Sequence, residues 1–563
     1  AAGRRLIAAP VMVGTIDHLM GVAAPARSRH LLQAVRALTS DLILDEIDQF
    51  DGEDIAAIGR LVYQAGAAGR RVIVMSATLT RDIATALHEA YARGWSAFAA
   101  ANGLRDHVNL LITGDAPGSC VTNGAGLPFE EAYASCRDRV LDALRTAAPL
   151  RRGEILPPCD GWAGLVAQVD AGCARMHALN AVEVEGVRVS VGMVRMTRIA
   201  HTAALAAQLP SGPLGDRFRV LLCLHSQFPR LHRAWIETRL KRALTRKGAD
   251  PEAGLRSLCL AEGLFHRARE AGASEIEIVV VTSPVIETGN DLDFDYAILD
   301  PSSTRSIIQA AGRVRRHRGP AGDHPNVLIL GRSPIVMQGG RLESPGVETR
   351  PAPETRVARP DLDRFEGRLF RDLAGDETFA VINAAPVLSG AGDLPLRDRE
   401  GELVRAMIRS DEDTAAQPLG RYLRHPNARL NLAMTRSRKF RRSDAKTVTF
   451  AMFGESPEGA EWHVDLQPGT RESRFHPATG KGLTMGRVEA EPLFEELTGP
   501  AWVEYVGGLR DMENGDLKNL MRAEIPDYER DLQIRMTYTE FTGFTRGSFE
   551  DLFCAFGKRE RIQ

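Results

Sequence analysis

The sequence has no Cys-x-x-Cys pair, no phosphate-loop signature, no long apolar run and almost no net charge. Its cysteines, Cys120, Cys136, Cys159, Cys173, Cys223, Cys259 and Cys554, are scattered. A zinc ribbon or a disulfide framework therefore has no support, and a reducing cytoplasm is the expected compartment. No run reaches the roughly 18 apolar residues of a membrane span, so no membrane partner is expected. Gly-x-x-x-x-Gly-Lys-[Ser/Thr] occurs nowhere. Gly480-Lys481 is followed by Gly482, and Gly557-Lys558 by Arg559, and neither lies between a clear strand and a helix. The backbone cradle that such a loop offers a polyphosphate is thus not spelled in these residues. A net charge of −2 excludes a whole-surface basic field, so any nucleic-acid contact must be a local channel.

At 563 residues the chain is too long for one core, and its length suggests about three domains. With 44% hydrophobic and 26% charged residues it has a globular composition. It opens on Ala1 rather than Met, in what reads as the middle of a domain and not as a signal peptide, so a fragment is expected.

The densest chemistry lies between Ile276 and Arg318. Ile276–Val281 is a β-branched run, the pattern of a strand buried on both faces. Pro284 to Asp291 is a polar loop broken by Pro284 and Gly289. Tyr296–Leu299 is a second apolar run, and Ser302, Ser303 and Thr304 can each cap a helix. That helix is expected to carry Gln309, Gly312, Arg313 and Arg316, with 309, 313 and 316 on one face. Two guanidiniums and a carboxamide so placed suit a polyphosphate, although a lone Arg-x-x-Arg is more often a solvated basic face.

Upstream, the apolar run Leu6–Val13 leads into Gly14 and Thr15, read as the opening of a helix whose free N–H groups and hydroxyl could meet a phosphate. An ordinary strand-to-helix turn is the plain alternative. Asp41–Asp48 (DLILDEID) puts Asp45 and Glu46 at the carboxyl end of a buried strand, where open α/β sheets bind ligands. Val72–Met75 is another strand, followed by Ser76, Ala77 and Thr78. Residues 1–105 thus read as part of one α/β domain. Residues 106–185 read as a connecting or inserted segment, in which His177 is more plausibly packed than a ligand. Residues 186–331 read as a second α/β domain, with strands at Val187–Val194, Arg219–Leu224 and Asn326–Leu330, a His225-Ser226-Gln227-Phe228 segment and a helix at Leu231–Leu244. The alternation argues parallel, doubly wound sheets. Residues 332–362 read as a linker and 363–563 as a mixed accessory domain. There, Arg436, Arg438, Lys439, Arg441 and Arg442 surround Phe440, as suits single-stranded nucleic acid or, equally, a solvated loop.

Taken together, VGTIDHLM, DEID, SAT, HSQF, VIETGNDLDFD and QAAGRVRRHR resemble the superfamily 2 helicase motifs, and most of all those of the type I CRISPR helicase–nucleases, subtype I-F. The Val194–Ala200 run VRMTRIA fits that subtype. The resemblance implies two RecA-like domains, ATP and Mg²⁺ as cofactors, and single-stranded DNA, a CRISPR surveillance complex and the adaptation nuclease as partners. It implies that Asp45 holds Mg²⁺, that Glu46 activates water, and that Arg313 and Arg316 act as arginine fingers. Gly289, Asp291 and Gln309 would line the nucleotide. Asp48, Ser76, Ala77 and Thr78 would couple the sites. Gly14, Thr15, His225, Ser226 and Thr282 would follow the DNA backbone. No His-Asp doublet occurs, so nuclease chemistry is not assigned to these residues. A non-hydrolysing binding module and a DExD/H RNA helicase remain the alternatives.

Overall fold

The structure, a computed structural model of the chain, describes residues 9–19, 30–47, 50, 52–122, 126–287, 291–320, 322–338, 370–389, 446–453, 461–465, 476–477, 483–485, 488–494, 522–527, 536–539 and 541–546. The first unit contains α1 (His30–Leu38), β1 (Leu42–Leu44), α2 (Gly52–Ala67), β2 (Val72–Val74) and α3 (Arg81–Asn102). Strands β1 and β2 pair in parallel, Leu42 opposite Val72 and Leu44 opposite Val74. Thr80 caps α3 by accepting from the Ile83 amide, and Gly103 ends it in the left-handed conformation. Ile47, Ile58, Leu61, Ile83 and Leu87 form this unit's core.

A connector follows: the hairpin β3 (Leu111–Thr113) and β4 (Cys120–Thr122), then α4 (Phe129–Thr146). Glu130 at the start of α4 accepts from Arg81 (2.6 Å) and Thr85 (2.9 Å) of α3, and Tyr133 donates its hydroxyl to the Leu79 carbonyl (2.7 Å). This stretch therefore rests on the first unit.

The second unit begins at β5 (Gly153–Ile155), earlier than the expected boundary at 186. Its further elements are α5 (Gly161–Asn180), β6 (Val182–Val184), β7 (Val187–Arg195), α6 (Ile199–Gln208), β8 (Gly212–Leu214), β9 (Arg217–Leu224), α7 (Arg230–Leu244), α8 (Ala253–Ala261), α9 (Leu264–Glu270), β10 (Glu275–Thr282), β11 (Tyr296–Leu299), α10 (Thr304–Ala311) and β12 (Val327–Ile329). The sheet runs β5-β12-β11-β7-β10-β9-β8, with β6 hairpinned onto β7. All pairs are parallel except β6–β7 and β8–β9. Because β5 pairs with β12 and α5 packs on the sheet through Leu165, Val169, Cys173 and Met176, the 151–185 stretch is part of this unit. Alternating strands and helices bury the sheet on both faces, as the doubly wound reading requires. His177 is fully buried between Ser190 Oγ (2.7 Å) and Glu275 Oε2 (3.0 Å), so it is a packed residue. Gly192 on β7 is obligatory, since a Cβ there would lie 2.1 Å from the Tyr296 ring.

One further expectation changes. The chain does not go slack at Gly331: Pro334–Met337 forms a short helix with Ile335 buried, and only 339–362 of the expected linker lie outside the described residues. The described part of 363–563 is mixed, as expected: short helices at Phe370–Ala374 and Ala385–Leu388 precede the strands β13 (Lys446–Phe453), β14 (Glu461–Asp465), β15 (His476–Pro477), β16 (Leu483–Met485), β17 (Arg522–Asp527), β18 (Met536–Thr539) and β19 (Gly543–Arg546). These strands make a four-stranded and a three-stranded sheet. The basic cluster around Phe440 lies outside the described residues.

Candidate functional site

The carboxyl ends of β7, β9, β10 and β11 share one sheet edge, and β1 and β2 bring their own carboxyl ends to the other candidate half. Asp45 and Glu46, directly after β1, are both exposed. Glu46 has φ +53, a left-handed backbone that costs a non-glycine residue about 1–3 kcal/mol and is held by its amide donating to Asp45 Oδ1 (3.0 Å). Asp48 lies outside the described residues. Behind these acids, Ser76 Oγ accepts from the Thr78 amide (3.0 Å), so its hydroxyl oxygen closes its own turn. Ala77 is exposed and Thr78 is buried.

In the second unit, Ser303 caps α10 as expected, accepting from the Ser306 amide (3.1 Å). The helix is shorter than expected. It ends at Ala311, so Arg313 and Arg316 do not share a helix face with Gln309. The physical reason is a competing set of backbone bonds. The Arg313 carbonyl accepts from the Phe294 amide (2.8 Å), and the Arg315 amide donates to the Phe294 carbonyl (3.0 Å). Arg315 takes φ +47 to make this bridge. The two arginines are therefore presented by a turn. Gln309 stays on α10, half-buried.

Arg313 is nearly buried, and its guanidinium donates to the Glu287 carbonyl. Burial and the neighbouring Arg316 charge lower its pKa, while Glu46, Glu287 and Asp291 oppose that. Arg316 is more open and pairs with Asp291 (2.8 Å). Asp291 also receives His317 (2.7 Å) and Lys247. Burial pushes the Asp291 carboxyl up, but Lys247, His317 and Arg316 together hold it at about 2. Gly289 lies outside the described residues.

The residues that fix this loop were not singled out in the sequence. Arg195, at the end of β7, is fully buried. It donates to Glu287 Oε1 (2.7 Å), the Asp300 carbonyl (3.0 Å), Ser302 Oγ (2.9 Å) and Ser306 Oγ. Ser306 in turn donates to Glu287 Oε2 (3.1 Å). Burial raises the Glu287 pKa despite Arg195 beside it. Asp293 and Asp295 form a second anchor, both buried and both paired to Arg318 at 2.7 Å. An apolar run broken by one arginine, VGMVR, was the available signal for Arg195.

The expected nucleic-acid residues divide. Gly14, Thr15 and Ser226 are exposed, but Thr15 precedes only a single 3-10 turn, Ile16–His18, with no side-chain cap, in place of the expected helix. Thr282 is fully buried and donates its hydroxyl to the Leu224 carbonyl (2.9 Å), so it presents nothing to a DNA backbone. His225 is also fully buried. Its Nε2 lies 2.7 Å from the Thr542 carbonyl and its Nδ1 accepts from the Gln227 amide (3.2 Å), which assigns the proton to Nε2. The accessory segment covers it: Gly543, at φ +64, sits so close that a Cβ would meet Phe228 at 3.0 Å and the His225 ring at 3.2 Å. A second accessory stretch runs along β9, where the Leu221 amide donates to Glu491 (2.9 Å) and the Leu493 amide to Leu221 (2.8 Å).

Burial holds His225 and His201 down to about 4 and His232 down to about 3. All three are neutral when folded, whereas an unfolded histidine titrates near 6.5. The unfolded state therefore binds more protons below about pH 6.5, and stability falls from there down to about pH 4. Thermal melts between pH 7.5 and 5 should show this slope, and His225→Gln should flatten it. An unchanged slope in His225→Gln would place the acid sensitivity elsewhere.

The chain resembles known proteins in three comparisons. A family model described as CRISPR-associated nuclease/helicase Cas3, C-terminal, matches residues 188–319. The CRISPR-associated nuclease/helicase Cas3 subtype I-F/YPEST of Pseudomonas aeruginosa is 32% identical over 510 residues, covering 86% of this chain and 45% of that protein. The protein of the same description from Pectobacterium atrosepticum is 32% identical over 403 residues, covering 68% of this chain and 35% of that protein. This chain thus spans less than half the length of either relative. Among solved structures, a T. fusca Cas3 with AMPPNP is 17% identical at a TM-score of 0.47, covering 97% of this chain and 56% of that one. The family model falls on the unit built around Arg195, Glu287 and Arg313, and the relatives match over most of this chain: the chain belongs to the CRISPR-associated helicase–nuclease family of type I systems.

Proposed function

We propose that this chain is motor machinery of a type I CRISPR interference helicase–nuclease, coupling ATP hydrolysis to movement along single-stranded DNA. The observation that supports the reading is the placement of exposed Asp45 and Glu46 at the carboxyl end of β1, together with the turn after α10 that presents Arg313 and Arg316. The residues present fit Mg²⁺. No group of three or more protein ligands occurs among the described residues, and this ion is usually held by one or two carboxylates plus substrate phosphates and water. Asp45, exposed at the end of β1, would hold it, and the ion when bound would neutralise phosphate charge. They fit ATP in part: the acids and the arginine wall are here, and the backbone cradle is not in this sequence.

In this reading Glu46 orients the attacking water and accepts its proton on a side-chain oxygen. Arg313 and Arg316 donate N–H groups toward the transferring phosphoryl oxygens. Gly289, Asp291 and Gln309 line the nucleotide side, and the Ser76–Thr78 turn, with Asp48, links it to the nucleic-acid side. The backbone of single-stranded DNA would meet Gly14, Thr15 and Ser226, with His225 and Thr282 acting from beneath as supports. A surveillance complex would supply the strand, the adaptation nuclease being a further partner; no helix among the described residues is long and apolar enough to cross a membrane.

The missing cradle favours one rival, a binding module that hydrolyses nothing. Phosphate release with single-stranded DNA separates the two. The chain alone should turn over ATP negligibly, and a full-length protein carrying it together with a phosphate loop should turn over ATP in a DNA-stimulated way. No turnover in the full-length protein would leave the binding module. Turnover by the chain alone, abolished by Glu46→Gln, would mean that a cradle exists here in another form.

A further inference from the structure

The turn that carries the two arginines hangs between two supports, and one of them comes from far upstream. On one side the Phe294 backbone brackets Arg313 and Arg315. On the other, Arg151, between α4 and β5, donates Nε–H to the Val314 carbonyl (2.9 Å) and Nη2–H to the Gly312 carbonyl (3.4 Å). The carbonyls of 312, 313 and 314 are thus taken alternately by Arg151, Phe294 and Arg151. Arg151 is itself fixed on both flanks by Asn326, which is buried. Asn326 Nδ2 donates to the Leu150 carbonyl (2.9 Å) and its Oδ1 accepts from the Arg152 amide (3.0 Å). The Ile382 amide then donates to the Arg151 carbonyl (3.0 Å). A backbone held this firmly beneath one side chain belongs to a group whose direction matters.

We propose that Arg151 is a positioning residue: its planar fork spans the Gly312 and Val314 carbonyls and thereby sets where Arg313 and Arg316 point. Burial and the like charge of Arg316 disfavour the charged form of Arg151, and the Asp293 carboxylate opposes them. The connector that leads into it touches the first unit, where Tyr133 holds the Leu79 carbonyl just past the Ser76–Thr78 turn. A flexible ammonium cannot reproduce the span, because lysine offers one mobile point in place of a rigid fork. The inference rests on the arginine roles proposed above.

The test uses a full-length protein carrying this chain, with nucleotide binding and single-turnover hydrolysis on single-stranded DNA measured separately. Arg151→Gln should lower turnover by about 10–100-fold, the effect of misplacing reacting groups by about an ångström, while ATP affinity stays within about threefold. Arg151→Lys should recover only part of the loss. Arg316→Lys is run beside them. Parent turnover in Arg151→Gln with Arg316→Lys inactive overturns the positioning role and leaves the finger role standing. Parent turnover in both removes the finger role itself. If Arg151→Gln does not fold, Arg151→Lys decides alone: turnover lost at retained affinity supports positioning. Parental turnover in Arg151→Lys, or affinity, turnover and melting temperature falling together, makes Arg151 structural only and overturns the proposal.

Discussion

Arg316→Lys, in a full-length protein carrying this chain, is expected to lower DNA-stimulated ATP turnover about 10³-fold, with ATP affinity falling far less. An arginine finger supplies about 10³–10⁵ in turnover across phosphoryl-transfer enzymes, and the lower end is expected because Arg313 shares the task. Lysine keeps the charge and loses the bidentate fork. Arg316 now pairs with Asp291 and must leave it to reach a phosphate. Lys247 stays ion-paired and His317 stays hydrogen-bonded to Asp291 when it goes, so the carboxylate keeps a cation beside it. The interaction is then made mainly in the transition state, which is why turnover should suffer more than binding. A double variant with Arg313→Lys should lose less than the sum of the singles. Single-turnover hydrolysis beside a nucleotide-binding titration measures both. Parent-rate hydrolysis by Arg316→Lys would reduce this turn to a solvated basic loop.

The second large effect is on stability. Arg195→Met should cost about 3–5 kcal/mol, because removing one partner of a buried ion pair strands the other. Glu287 would be left buried with only the Ser306 hydroxyl and its raised pKa would climb further. Glu287→Gln should cost less, since its carbonyl can still accept from Arg195. A chain with several cores does not unfold in one step, so the measurement is amide hydrogen exchange on β7, β10 and β11. Protection should fall there in Arg195→Met and stay unchanged on α2 and α3. Unchanged protection on β7 would mean that the network contributes nothing net.

The sheet was legible because its strands are nearly pure β-branched and aliphatic runs. Ile276–Val281, Tyr296–Leu299 and Val187–Val194 all lie where their periodicity put them, each extended by a residue or two at most. Ser303 as the cap of α10 followed from the same local rules. The end of α10 was not legible, because the Gln309–Arg316 spacing fits a helix and the partners that stop it, Phe294 and Arg151, are distant in sequence. The start of the second unit was hidden for a similar reason: β5 is only three residues long and is defined by its pairing with β12. His225 and Thr282 read as surface polar residues because nothing local announces the cover that Thr542 and Leu224 place over them. The strands of the C-terminal part, such as Lys446–Phe453, mix threonine with apolar residues and were read as part of a mixed region.

If Glu46 and Arg313 act on one nucleotide from opposite sides, Glu46→Gln is the decisive variant. The measurement is single-turnover ATP hydrolysis on single-stranded DNA by the full-length protein, with ATP binding followed in parallel. The predicted result is a fall of about 10²–10⁴-fold in the hydrolysis rate, the usual contribution of a general base, with ATP still bound. Hydrolysis at the parent rate would mean that the acid at the end of β1 has no part in the chemistry.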